Sequence, residues 1–210
     1  ATSARFEAAP SSGHLRLPGR PTRALVLLGA VIFCGFLGEG VMQDWSTLYL
    51  RRVAGATPAS SAAGLTVFFL AMAVGRTATD RLVTAFGPAR AVQVGGALAT
   101  AGLGLAVAVP SPVPVMVGLG AVGLGLAGVA PIVFSLAGYQ PGIPSAEAVA
   151  TVSTIGYLAF MAGPALIGSM AGWKGLQAAL ALVGAFALTL VLLARSLPRH
   201  HPLMTGPQGS

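Results

Sequence analysis

Glu39 and Gln43 stand four residues apart in GEGVMQDWSTLYL (Gly38–Leu50), a polar-bearing stretch inside an apolar run. At 3.6 residues per turn this spacing puts both side chains on one helix face, with Asp44 rotated about 100° away from Gln43. In a run this apolar the surroundings are lipid or protein. A carboxylate near mid-bilayer costs about 2.5–3.5 kcal/mol on insertion scales, so Glu39 is expected to face a cavity or the helix bundle. There it can bind a cationic or polyhydroxyl solute, carry a proton, or serve structurally as a hydrogen-bond partner of a neighbouring helix. Asp44, nearer the helix end, suits an interfacial position paired with Arg51 or Arg52. Tyr157 lies about two turns before Gly163-Pro164, a pair expected to break or kink its helix and free a carbonyl that protein or a wet cavity must satisfy. Its hydroxyl can reach the same cavity as Glu39, or the kink can serve packing alone.

A second polar constellation, GRTATDRLVTAFGPAR (Gly75–Arg90), concentrates Arg76, Asp80, Arg81 and Arg90 in a chain with 8% charged residues. The sequence predicts a water-facing loop here between two apolar runs, with Asp80 in a local ion pair; such exposed pairs contribute about 0–1 kcal/mol. Gly118–Gly123 and Gly123–Gly128 each fit G-x-G-x-x-G, yet the strand before and the acidic residue about 20 positions after that dinucleotide binding needs are missing. Glycines at this spacing predict close helix packing in lipid instead. No Gly-x-Ser-x-Gly, Ser-Lys, C-x-x-C or H-E-x-x-H pattern occurs, His14, His200 and His201 lie in the tails, and the single Cys34 sits in an apolar run. These residues call for no metal, no cofactor and no enzyme activity.

The elements that must position these groups follow from composition. With 55% hydrophobic residues among 210 and a mean hydropathy of +0.82, the chain reads as an all-α integral membrane protein. Its net charge of +7 comes from arginines in the tails and connections, where membrane topology demands them, and does not predict a nucleic-acid partner. Six spans are expected at about 24–50, 60–77, 91–109, 113–138, 146–171 and 176–194, each sufficient for a hydrocarbon core of about 30 Å. Residues 1–23 and 196–210 are then tails around a bundle at 24–195. Residues 1–22 lack an apolar signal region, so the first span is expected to act as its own insertion signal. Placing both termini inside the cell puts nine basic residues on the inner side (Arg5, Arg16, Arg20, Arg23, Arg76, Arg81, Arg90, Arg195, Arg199) against three outside (Arg51, Arg52, Lys174). That is the orientation the positive-inside rule selects, in the cell (inner) membrane.

Gly75, Asp80, Arg81, Gly87 and Arg90 resemble the loop signature of the major facilitator superfamily, where a Gly, an Asp-Arg pair, a further Gly and trailing basic residues join the second and third helices of each six-helix half. With six spans and an acidic first helix, residues 24–195 look like the C-terminal half of such a transporter, helices seven to twelve. The resemblance implies two inverted three-helix repeats, and a gating role for the loop with Asp80 holding one state. It implies secondary transport of a small solute by alternating access, with Glu39, Gln43 and Tyr157 lining the cavity and protons as a candidate coupling partner. A lone half offers one wall of that site, so an N-terminal half or a second copy is the expected partner. The alternative is a non-transporting membrane fragment or an assembly subunit.

Overall fold

In the computed structural model, which describes residues 22–198, nearly the whole of that range is helical. The elements are α1 (Arg23–Arg52), α2 (Pro58–Phe86), α3 (Pro88–Ala108), α4 (Pro112–Leu126), α5 (Val129–Gly138), α6 (Ser145–Lys174) and α7 (Leu176–Ala194). α4 and α5 are two parts of one span, giving six segments long and apolar enough to cross a membrane. Lipid offers the backbone no hydrogen-bond partner, so apolar runs of this length close their amides within a helix. Helix starts are set locally. Thr22 Oγ1 accepts from the Leu25 amide (3.3 Å) and Thr57 Oγ1 from the Ser60 amide (3.2 Å), while Pro58, Pro88 and Pro112 occupy first-turn positions where a missing N–H costs nothing.

The four positive-φ residues among those described are all glycines, and they form two equivalent pairs. Gly55 (φ 70°) and Gly142 (φ 78°) turn the chain between the first and second spans of each triplet. Gly87 (φ 82°, ψ 165°) and Gly175 (φ 87°, ψ 166°) are each the sole residue between the second and third. Packing obeys the same exchange: α1 lies on α6 as α4 lies on α2, α1 on α7 as α4 on α3, α1 on α2 as α5 on α6, and α2 on α3 as α6 on α7. α3 and α7 pack on each other at the centre of this relation. A shift of three spans reverses chain direction, so the bundle is two inverted three-helix units.

Small residues bring the backbones together. A methyl on Gly102 would meet the Gly118 carbonyl oxygen at 2.6 Å, and one on Gly118 would run into the Gly102 carbonyl; Gly95 and Gly125 repeat the arrangement one level away. The fourth-span glycines are therefore packing residues, as their spacing predicts. Polar ties finish the bundle: buried Tyr49 donates its hydroxyl to the Ala106 carbonyl (2.9 Å), and Gln177 Nε2 donates to the Val107 carbonyl (2.7 Å), fastening α1 and α7 to the end of α3.

Three expectations are corrected. Gly75–Arg90 is not a loop, because α2 runs unbroken through Gly75, Asp80 and Arg81 to Phe86, Gly87 alone turns, and Arg90 already lies in α3. The threonines explain this: Thr77, Thr79 and Thr84 donate to the carbonyls of Val74, Gly75 and Asp80, each at 2.8 Å, so their hydroxyls are satisfied inside the helix. At 29 residues α2 is about 43 Å long, more than the roughly 30 Å core, so its charged end can leave the membrane without leaving the helix. The Gly163-Pro164 pair does not interrupt its span either; α6 is one helix of 30 residues with Pro164 on its exposed side. The interruption falls instead at Ala127-Gly128 between α4 and α5. Pro131 has no N–H for the Ala127 carbonyl four residues earlier, and Gly123, Gly125 and Gly128 around that point weaken the helix further. Glycines also flank Pro164 (Gly163 and Gly168), so what differs is packing: at the break Gly75 and Thr79 of α2 lie against Ala127 and Gly128. Finally, the connection left between the expected spans 146–171 and 176–194 reduces to Gly175, since α6 continues to Lys174.

Candidate functional site

Glu39 lies near the midpoint of α1, between the buried glycines Gly38 and Gly40. Most of α1 is enclosed by α2, α5, α6 and α7, yet Phe33, Phe36, Glu39, Gln43 and Thr47, at three- and four-residue spacing, form a half-exposed stripe. Glu39 Oε1 accepts from Gln43 Nε2 at 3.4 Å, so these two side chains are brought together on one face. Arg76, exposed on neighbouring α2, exerts its positive charge on the Glu39 carboxylate. Its guanidinium is folded back along the helix to 3.9 Å from Met72 Sδ. No ion pair within 4 Å links these two among the described residues, nor does one link Asp44, which is exposed, to Arg51 or Arg52.

Tyr157 joins this group through Phe36, one turn before Glu39. Its ring centroid is 6.2 Å from that of Phe36 with the planes at 62°. Phe160 of α6 (5.3 Å, 76°) and Phe134 of α5 (6.5 Å, 89°) meet the same ring edge-on. Glycines make the room. Phe36 covers Gly156 and Phe160 covers Gly40, each 2.8 Å from where a Cβ would stand. Tyr157 itself is 66% exposed, so its ring is held from one side and open on the other. An apolar cleft of about 500 Å³ lies nearer the start of α1, lined by Leu25, Gly29, Phe33, Cys34, Thr151 and Ile155 among others. It contains no charged group.

Gly75, the first residue of the motif-bearing segment, is buried where α2 crosses the fourth span at its break. A methyl there would meet Ala127 Cβ at 2.7 Å and the Leu124 carbonyl oxygen at 2.8 Å. Thr79, one turn on, covers Gly128. Asp80, Arg81 and Arg90 are exposed beyond that crossing, and Gly163 is buried against Val41 of α1.

Three relatives match most of this chain: an uncharacterised MFS-type transporter of Yersinia pestis, 37% identical over 180 residues, and an uncharacterised transporter of Sinorhizobium fredii, 34% identical over 174 residues. The third is the membrane protein MosC of Rhizobium meliloti, 32% identical over 176 residues. The matches take in 85%, 83% and 84% of this chain but 47%, 46% and 43% of the relatives. No family model matches. The chain belongs to the MFS-type proteins. It spans about half the length of the curated relatives it matches, and it is a multi-pass membrane protein.

For an MFS-type half, the sequence singles out Glu39, Gln43 and Tyr157, places Arg76 in the separate Gly75–Arg90 constellation, and leaves Phe36, Phe134 and Phe160 outside the expected site. Phe36 and Phe160 were within reach of pattern reasoning, standing three residues from Glu39 and from Tyr157 on their own helices. Phe134 was not. It reaches the α1/α6 seam because the break turns α5 towards α1 and α6, whereas α4 packs chiefly on α2 and α3.

Proposed function

We propose that this chain is the C-terminal six-helix half of a secondary active transporter, and that together with an N-terminal half it moves a small solute by alternating access. Residues 24–195 form the bundle and 1–23 and 196–210 are cytoplasmic tails, with both ends inside the cell (inner) membrane, an orientation favoured by the distribution of Arg and Lys. The observation that carries the reading is Glu39, a half-buried carboxylate near the midpoint of a span, on the stripe of α1 that its neighbours leave uncovered. A charge at that depth is costly unless a cavity solvates it, and a wall of a solute pathway is such a cavity. Glu39, Gln43 and Tyr157 line that wall, and Glu39 carries the coupled proton. Gly75, Asp80, Arg81, Gly87 and Arg90 form the gate: a rigid helix crossing at Gly75, charges at the helix end, and a one-residue turn transmit the rocking of one half against the other. The names of the relatives agree with transport, and no catalytic chemistry is assigned.

The test uses the two halves together in proteoliposomes, with solute panels screened for solute-driven proton movement. Glu39→Gln should abolish proton-coupled flux while leaving the protein folded. Unchanged flux with unchanged pH dependence would remove Glu39 from its role, and solute flux by this chain alone would remove the need for a second half.

A further inference from the structure

The aromatic cluster beside Glu39 bears on what the site binds. Four rings from three helices meet at Phe36, and three of them are locked edge-to-face against it at 5.3–6.5 Å. Ring faces are electron-rich, and Tyr157 presents a mostly uncovered ring whose position is fixed by Phe36 from behind. Met161, one turn further along the same side of α6, is 76% exposed and continues this polarisable surface towards the level of Glu39. The site thus combines one carboxylate, an open ring face and a thioether. Such a set suits a positive charge carried on an apolar body. It suits a polyhydroxyl solute poorly, since most of this surface is ring and thioether, which supply almost no hydrogen-bonding groups. Arg76 is the opposing feature. Its guanidinium is exposed and held at Met72 without closing on Glu39, so the carboxylate keeps a side for a ligand while the arginine penalises excess positive charge.

We propose that the site takes an organic cation, its ammonium group held between the Glu39 carboxylate and the open face of Tyr157, and its apolar body against Met161. This rests on the transport reading of the same site and adds the class of solute. Binding of benzyltrimethylammonium to the full chain in lipid nanodiscs tests it, with sorbitol and benzoate as neutral and anionic competitors.

The cation should bind saturably and be displaced by neither competitor. Glu39→Gln should weaken binding at least about tenfold, as expected for loss of a contact charge in a partly buried site. Tyr157→Ala should weaken it by roughly 2- to 30-fold, the range of cation–π contributions, and Tyr157→Phe should weaken it less than Tyr157→Ala does, because the ring rather than the hydroxyl binds. Arg76→Ala, which touches none of the rings, should tighten binding, and so reports on the site even if one of the other variants fails to fold. Wild-type affinity in Glu39→Gln, or displacement by sorbitol or benzoate, overturns the proposal. Flux of another solute by the two-half transporter with no cation binding overturns the solute class and leaves transport standing. Glu39-dependent cation binding with no flux in any pairing upholds the class and refutes transport.

Discussion

Replacing Gly75 by Ala separates packing from helix propensity at the residue that begins the motif. The added methyl would stand 2.7 Å from Ala127 Cβ, 2.8 Å from the Leu124 carbonyl oxygen and 3.0 Å from Leu124 Cα, where ordinary contact begins near 3.4 Å. Two of these three atoms are backbone, so no rotamer change relieves the overlap. α2 must withdraw from the fourth span by about half an ångström along a seam that is otherwise close-packed. Overpacking of this kind costs about 1–3 kcal/mol. Ala in place of Gly in a helix returns up to about 1 kcal/mol. The net is a loss of about 1–2 kcal/mol, placed in the upper part of that balance because backbone cannot turn away. Gly104, inside α3 with nothing within 4 Å of its would-be Cβ, is the matched control. Gly104→Ala should gain up to about 1 kcal/mol. Reversible unfolding in mixed detergent micelles reads both, and the two midpoints should move in opposite directions. If Gly75→Ala is stabilised as much as Gly104→Ala, the α2 crossing does not exist as described, and the proposed gate loses its pivot.

Gly175→Ala tests backbone strain in isolation: nothing lies within 4 Å of the added methyl, yet φ 87° with ψ 166° suits glycine almost alone, so the same assay should show a loss of about 1–3 kcal/mol. Tyr49→Phe removes the buried hydroxyl that donates to Ala106 and should cost about 0.6 kcal/mol, the mean for hydrogen bonds between membrane helices, and no more than about 1.7; no loss would mean that the α1 to α3 tie carries no weight. Pro164→Ala restores an amide donor to an uninterrupted helix and relieves an exposed position, so the unfolding midpoint should rise by the equivalent of about 1–3 kcal/mol; a fall would show that the proline shapes α6 after all.

How far the sequence carries depends on which force decides each feature. Spans were legible because lipid makes the decision residue by residue: α7 falls at 176–194 as expected, and the first and third spans differ by only a few residues at either end. The end of α2 is not legible from charge, because charge ends only the part of a helix that can lie in lipid. Asp80 and Arg81 are solvated from the helix surface. Proline alone does not decide where a span breaks. Pro131 and Pro164 remove the same donor and both have glycines close by; what separates them is packing, since Gly75 and Thr79 of α2 lie against Ala127 and Gly128 at the break while Pro164 sits on an exposed side. Glu39 and Gln43 were legible as a pair because their spacing fixes a shared face. The ring cluster was not, since it depends on a break that delivers Phe134 and on glycines at 40 and 156 that let Phe160 and Phe36 sit over the opposite backbone.

The inverted repeat ties the motif to the site. Exchange of the triplets carries the α2 crossing on α4 onto the α6 crossing on α1. In the first crossing Gly75 lies over the Leu124 carbonyl; in the second Gly163 lies 4.0 Å, from its would-be Cβ, above the Leu37 carbonyl. Both carbonyls are near the middle of the first span of their own unit, and each is followed within four residues by the feature that sets its span apart. After Leu124 comes the break at Ala127-Gly128; after Leu37 comes Gly38-Glu39-Gly40. One geometric position in the repeat is thus spent on bending a helix in one unit and on holding a carboxylate in the other. The two uses meet physically, because the bend is what turns α5 so that Phe134 reaches Phe36, one turn from Glu39. A displacement of α2 at Gly75 therefore has a direct packed route to the ring cluster, through the break and α5, with no residue of the charged helix end needing to approach the site.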